Sequence, residues 1–205
     1  HIVGGGSGPE LRFQNASSSH YIRAYNDNWN FLANSLNTAM TIKNSGQVNF
    51  GAGIGIGGTG AANTLDDYEE GTFDPTLTTD SGSVTMYTAY NTLAYTKVGR
   101  VVTITGMLAL TSVSSPTGQL VFGNLPFAMA SLTNKAGQTR PSIHIYASGS
   151  GAPTQNHYFP AFISFNEGGT SGVMVATYAS ASDTTIANWF AAGSDIFVNF
   201  SYITA

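Results

Sequence analysis

The chain has no cysteine, almost no clustered positive charge and little charge of either sign. Without cysteine there are no disulfides, no thiol nucleophile and no thiolate metal site, so stability outside a cell has to come from packing or from association between copies. Charged residues make up only 9% of 205 residues, against a usual share of roughly a quarter. The shortage deepens along the chain: residues 101–205 hold Lys135, Arg140, Glu167, Asp183 and Asp195 as their formal charges. A net charge of −4 with no Lys/Arg cluster leaves nothing for phosphate neutralisation to act through, so nucleic acid is not an expected partner. No apolar run is long enough to span a bilayer, and the first eight residues, HIVGGGSG, lack the apolar stretch of a signal peptide. They read as a Gly-rich leader or an expression scar.

What is present is a globular composition: 42% hydrophobic residues, 24 Gly, 12 Phe and 10 Tyr. Residues 9–62 carry short apolar bursts (LRF, YIRAY, WNFLAN, AMTI, VNF) between polar turns, each too short to bury its own face. Asn44-Ser45-Gly46 is a turn signal that makes residues 39–50 a hairpin. Trp29, Leu32, Leu36 and Met40 would also suit one helical face, but the recurring Asn residues favour strands. Strands that cannot close a core alone suggest a slender stalk in which protomers share hydrophobic faces. The Gly-rich neck at 51–62 contains two overlapping G-x-G-x-x-G matches, at Gly53/Gly55/Gly58 and Gly55/Gly57/Gly60. Such matches bind dinucleotides only between a strand and a helix, and LDDYEEGTFDP follows instead, so glycines packed at a crowded axis are the better account.

From residue 84 the pattern becomes period-two strands: RVVTITGMLAL, SIHIYA, FPAFISF, GVMVATY and DIFVNFSYI. In the first of these, Val102, Ile104, Leu108 and Leu110 share one face, and Val101, Thr103, Thr105 and Met107 the other. Turns are expected at Ser115-Pro116-Thr117-Gly118, at 149–153 and at 167–169. The expected fold is all-β: a slender β-rich trimeric stalk over residues 9–62, then a jelly-roll-like β-sandwich head over 63–205.

Three segments carry a family resemblance: GIGGTGAANTLDDYEEGTFDPTL at 55–77, YTKVGRVVTITG at 95–106 and GNLPFA at 123–128. They resemble the C-terminal receptor-binding region of bacteriophage tail fibres and tailspikes, and ELRFQN with AMTIKNSGQVNFG resembles the stalk that precedes such heads. The resemblance implies a homotrimeric, extracellular virion component, continuous with upstream fibre segments, that attaches the phage to a host cell-surface receptor, usually a glycan. It shows no counterpart of the self-cleaving chaperone domain that some such fibres carry, whether never present or removed. A glycan-depolymerising tailspike fragment and a purely structural fibre segment are the alternatives.

Candidate chemistry is sparse. Asp66, Asp67, Glu69, Glu70 and Asp74 place five carboxylates in nine residues, a density that a hard cation could use, although EF-hand spacing is absent. Lys97 and Arg100 could fold back onto them, so ion pairs are the leading account and no metal or other cofactor is assigned. Hydrolysis of a glycan needs two carboxylates across a groove, and after the 100–110 strand the head offers only Glu167, Asp183 and Asp195. No G-x-S-x-G elbow occurs, and His144 and His157 lack a third zinc ligand, so no catalytic residue is assigned. Glycan binding needs exposed aromatic rings beside neutral donors and acceptors. If Ile143 and Ile145 point inward, His144 and Tyr146 point outward. His157 and Tyr158, with Gln155 and Asn156, fall in an expected loop, and Trp189 lies near another turn. His144, Tyr146, His157, Tyr158 and Trp189 are therefore the candidate receptor-binding residues.

Overall fold

The structure is a computed structural model that describes the chain except residues 1, 6–7, 15–17, 34–36, 57–63, 66, 137–138, 149, 151, 153–155, 179–180, 184–185 and 205. Leu36, Gly57, Gly58, Gly60, Asp66 and Gln155, singled out above, lie outside the described residues. Among the described residues strands dominate, with short 3-10 turns at Thr133–Lys135 and Ile186–Trp189. Among the described residues no helix is long and apolar enough to cross a membrane. The chain divides into two units, His1–Asp66 and Asp67–Ala205.

The first unit contains an antiparallel meander of β1 (Ile2–Gly5), β2 (Gly8–Gln14), β3 (Ser19–Tyr25), β4 (Asn28–Ala33), β5 (Asn37–Ile42) and β6 (Val48–Phe50), each strand pairing with the next. Trp29 and Leu32 lie in β4 and Met40 in β5, so the strand reading prevails over the helical one. Local chemistry explains the hairpins. Asn26 and Asp27 both take positive φ, 47° and 61°, between the paired residues Tyr25 and Asn28. A two-residue hairpin of the primed type demands that conformation, and Asn and Asp tolerate it. Between β5 and β6, Gly46 (φ 86°) donates its N–H to the Lys43 carbonyl and Lys43 donates to Gln47, closing the Asn-Ser-Gly turn. Arg23 grips Glu10 across the sheet through both Nε (3.1 Å) and Nη2 (2.8 Å). Burial is slight: Leu32 is enclosed, while Phe13, Tyr25, Trp29, Val48 and Phe50 stay exposed. A two-residue pair, β7 (Ile54–Gly55) with β8 (Thr64–Leu65), completes the unit.

The second unit is a barrel-like β-sandwich. Its strands are β9 (Tyr68–Phe73), β10 (Thr76–Met86), β11 (Leu93–Val98), β12 (Val101–Gly123), β13 (Ser142–Ala147), β14 (His157–Phe165), β15 (Gly172–Tyr178), β16 (Ala181–Asp183) and β17 (Asp195–Ile203). Strands β13, β14 and β15 form a meander, and β17 returns through a long connection to lie beside β13. The spatial order 17-13-14-15 is a Greek key. Because β17 also pairs with the first half of β12 and β15 with its second half, the sheet closes on itself.

That closure depends on β12 running 23 residues, straight through the segment expected to be a turn. Ser115-Pro116-Thr117-Gly118 does not reverse the chain. It is bulged: Ser115 and Pro116 together face Gly82 of β10, and Gly118 and Gln119 together face Asp80. Positive φ at Ser115 (41°), Gly118 (77°) and Gly82 (75°) absorbs the extra residues. Bulges bend a strand and raise its twist, and they are one of the few places in a sheet where proline is tolerated. Proline and glycine here mark a bend shared with a partner strand.

The inward residues are those the alternation indicates. Val102, Ile104, Leu108 and Leu110 are buried, as are Ile143, Ile145, Phe159, Ile163, Phe165, Ile196, Val198 and Phe200. Phe122, Phe165 and Phe200 meet edge-on or tilted at 5.7–6.5 Å between centroids. Each fully buried aliphatic or phenyl side chain contributes roughly 1.5–3 kcal/mol, which makes this unit, not the first, the chain's hydrophobic core.

Candidate functional site

The acidic segment resolves into side-chain pairs. In the antiparallel β9–β11 pair, Lys97 lies opposite Glu69, Tyr95 opposite Gly71 and Leu93 opposite Phe73. Lys97, only 7% exposed, forms its ion pair with Asp67 and stands 5.3 Å over the Phe127 ring. The Tyr95 hydroxyl donates to Glu69 Oε1 at 2.5 Å, and the Tyr68 hydroxyl to Glu70 Oε2 at 2.8 Å. Each carboxylate raises the pKa of the phenol that bonds it. Thr92 donates to Asp74 Oδ1 at 2.6 Å, and Asn124 donates to the Asp74 carbonyl at 2.7 Å. Arg100 turns away, its Nε donating to the Thr204 carbonyl. Among the described residues no three metal-binding side chains converge.

Tyr95 ties the three resembling segments together. Tyr95 of the second contacts Phe73 of the first edge-on at 6.4 Å and Phe127 of the third edge-on at 5.5 Å. The segments are distant in sequence but form one hub, built from a phenol, a buried ammonium and a phenyl ring. Its residues are committed to one another.

The outer face of β13, β14 and β17 is different. Tyr146 stands directly between Asp195 and Tyr158, and His144 between Phe197 and Pro160. The Tyr146 and Tyr158 rings are 5.1 Å apart and tilted, and Phe197 lies 6.0 Å from Tyr158 on the diagonal. Tyr158 is 64% exposed. Beside this trio a shallow groove of about 480 Å³ is lined by Gly106, Ser142, His144, Phe197 and Asn199, among others. Burial pushes the Asp195 carboxyl up from its ordinary pKa. At the far end the Arg140 guanidinium lies 5.9 Å over Phe162. The face thus offers aromatic surfaces, neutral amide and hydroxyl groups, one carboxylate and, at its far end, one guanidinium.

The five candidate residues separate on this geometry. His144, Tyr146 and Tyr158 come together. His157 and Tyr158 open β14 rather than lying in a loop, and Asn156, at φ 58°, belongs to the turn. Strand alternation then sends His157, paired with Ala147, to the opposite face from Tyr158. Trp189 is a core residue, 4% exposed in its 3-10 turn and 5.4 Å from the Phe159 ring, so it presents no ring to a ligand. Phe197, which is not among the five, joins Tyr146 and Tyr158 on this face: its buried neighbours Ile196 and Val198 turn it outward by the alternation that turns Tyr146 outward. Of the carboxylates considered for hydrolysis, Glu167 is sequestered beside Lys135 at 3.5 Å, and Asp195 stands on the outer face.

No family model matches the chain, and no curated protein matches it. Among solved structures, the chain is similar to the Dettilon tailspike protein. The match has 19% identity and a TM-score of 0.49, and it covers 66% of this chain. The chain spans 23% of that tailspike's length.

Proposed function

We propose that this chain is the receptor-binding tip of a phage tail fibre or tailspike, and that it attaches the virion to a host-surface glycan without cleaving it. The observation that carries this reading is the outward-facing Tyr146–Tyr158–Phe197 cluster, with Tyr158 exposed and Tyr146 and Phe197 half-buried, beside neutral polar groups on a unit with little charge. Aromatic faces stack on the apolar face of a sugar ring, and fixed amides and hydroxyls orient its hydroxyl groups. The resemblance of the three hub segments to tail-fibre C-terminal regions supplies the biological setting: a virion-borne, extracellular protein joined to upstream fibre segments.

The exposed apolar side chains of the first unit, Phe13, Trp29 and Phe50 among them, support homotrimer formation, because that meander buries little within one chain. Three linked heads turn weak sugar contacts into firm adhesion through effective concentration. Incubation of the purified protein with a panel of bacterial surface polysaccharides tests the reading. Depletion of one polysaccharide without shortening, weakened by Tyr158→Ala, supports it. Shortening would establish an enzyme, and no depletion across the panel would refute glycan attachment.

A further inference from the structure

A second aromatic pair lies on the same outer face. The segment MYTAYNT joins β10 to β11 and carries Tyr87 and Tyr90, each 48% exposed, with ring centroids 5.6 Å apart. These rings are not on a loose loop. Tyr90 donates its N–H to the Tyr87 carbonyl (2.8 Å), Tyr87 donates to the Ala109 carbonyl (2.8 Å), and Ala109 donates back to the Tyr90 carbonyl (3.1 Å). Both ends of the tyrosine turn are therefore fastened to one residue of β12.

Ala109 is directly opposite Asp195, Asp195 is opposite Tyr146, and Tyr146 is opposite Tyr158. Leu108, Leu110 and Ile196 point into the core, which turns Ala109 and Asp195 outward. One transverse row thus runs from the Tyr87/Tyr90 turn across Ala109, Asp195 and Tyr146 to Tyr158. With strands about 4.8 Å apart, the path along the curved outer surface from Ala109 to Tyr158 is about 14 Å, and the tyrosine turn lies beyond Ala109. The row has an aromatic shelf at each end and a low floor between them, made by a methyl group and a hydrogen-bond-accepting carboxylate.

We infer that Tyr87 and Tyr90 form a second sugar-stacking subsite, and that the ligand is an uncharged oligosaccharide segment long enough to bridge both aromatic shelves across Asp195. This rests on the glycan-attachment reading above. A single sugar ring covers one shelf, whereas a chain covers both and offers its hydroxyls to Asp195 in passing. The charge of the row selects the class: Asp195 is its one charged residue, so an acidic polysaccharide would meet a carboxylate with no cation in the row to offset it. The rigidity of both shelves limits the ordering cost of binding.

The test uses the full chain, a panel of neutral and acidic bacterial polysaccharides, and size-fractionated fragments of whichever polysaccharide binds. Tyr87→Ser with Tyr90→Ser should weaken binding of long neutral fragments roughly tenfold while leaving short fragments unchanged. Tyr158→Ala should weaken both. Thermal melting matched to the parent chain shows that the double variant is folded; should it melt lower, Tyr87→Phe with Tyr90→Phe, which keeps the rings, must restore long-fragment binding. Equal affinity of parent and double variant for every fragment length overturns the second subsite and leaves attachment intact, as does an equal loss for short and long fragments. Preference for acidic polysaccharides overturns the assigned class. Absence of binding across the panel overturns both readings.

Discussion

The Tyr95 ring lies across Gly71, so that a methyl group at Gly71 would stand 2.9 Å from the Tyr95 hydroxyl and 3.1 Å from its ring. The missing side chain at 71 is what lets the phenol cross onto β9 and reach Glu69. Gly71→Ala should displace the ring and cost about 1–3 kcal/mol in urea unfolding. Tyr95→Phe, which loses only the solvent-accessible hydrogen bond to Glu69, should cost less than Gly71→Ala. Since both changes act on one contact, the double variant should fall short of the sum. Full additivity would mean that Gly71 and Tyr95 are not coupled.

Lys97 and Asp67 are unequal partners. Lys97 is buried, whereas the Asp67 side chain is 45% exposed and keeps access to water. Asp67→Asn should therefore be the worse change, because it leaves an ammonium buried without its counter-charge, at a cost approaching about 3 kcal/mol. Lys97→Met leaves a solvated carboxylate and keeps the apolar stem against Phe127, and should cost about 1 kcal/mol. Chemical denaturation of the two variants gives the order, and the reverse order would contradict this account of the pair.

Tyr202 gives the second unit a defined alkaline limit. Its buried hydroxyl donates to the Phe127 carbonyl at 3.0 Å, and burial pushes its pKa up to about 12 from 10.0. Below pH 10 the phenol is protonated in both folded and unfolded chains, and its contribution is fully present. As pH rises from 10 through 12 only the unfolded chain releases the proton, so stability falls, by up to about 3 kcal/mol. Tyr202→Phe should flatten that part of a stability-versus-pH curve, at a cost of about 1 kcal/mol near neutrality. An unchanged alkaline slope would exclude Tyr202 as its source.

Trp189 and Tyr158 should respond oppositely to truncation. Trp189→Ala empties core volume against Phe159 and should lower stability by about 3–5 kcal/mol. Tyr158→Ala removes a ring that is mostly in water and should change stability by less than about 1 kcal/mol, while reducing glycan retention. Calorimetry on both variants checks the contrast.

The first unit should associate through its exposed apolar side chains. Replacing Phe13 and Trp29 by Ser should lower the oligomeric mass seen in native mass spectrometry without disturbing the second unit's thermal transition. A monomeric parent chain would remove the avidity argument.

Much of the fold was legible from residue pattern, for reasons visible at individual strands. Ile143 and Ile145 are buried because a pleated strand alternates its side chains, and the same local geometry put Tyr146 on the outside. Asn44-Ser45-Gly46 made the expected hairpin because its residues tolerate the backbone angles that tight turns need, and Asn26-Asp27, not expected as a turn, made another for the same reason. The run at 115–118 misled for a related reason: proline and positive-φ residues serve turns and bulges alike, and only the pairing of β12 with β10 distinguishes the two. The candidate site was half legible. Alternation oriented Tyr146 and applied equally to Phe197, but it gave no indication that residues 87, 146, 158 and 197 would be neighbours, or that Trp189 would enter the core.

The amino-acid sequence by itself determined the all-β class, the inward and outward faces of most strands and the sparsely charged surface, since these follow from local backbone geometry and composition. Tertiary structure alone decided that Lys97 pairs with Asp67, that Trp189 is buried, and that Tyr146, Tyr158 and Phe197 meet. Those outcomes depend on strand order and register, which arise from packing between segments far apart in the chain.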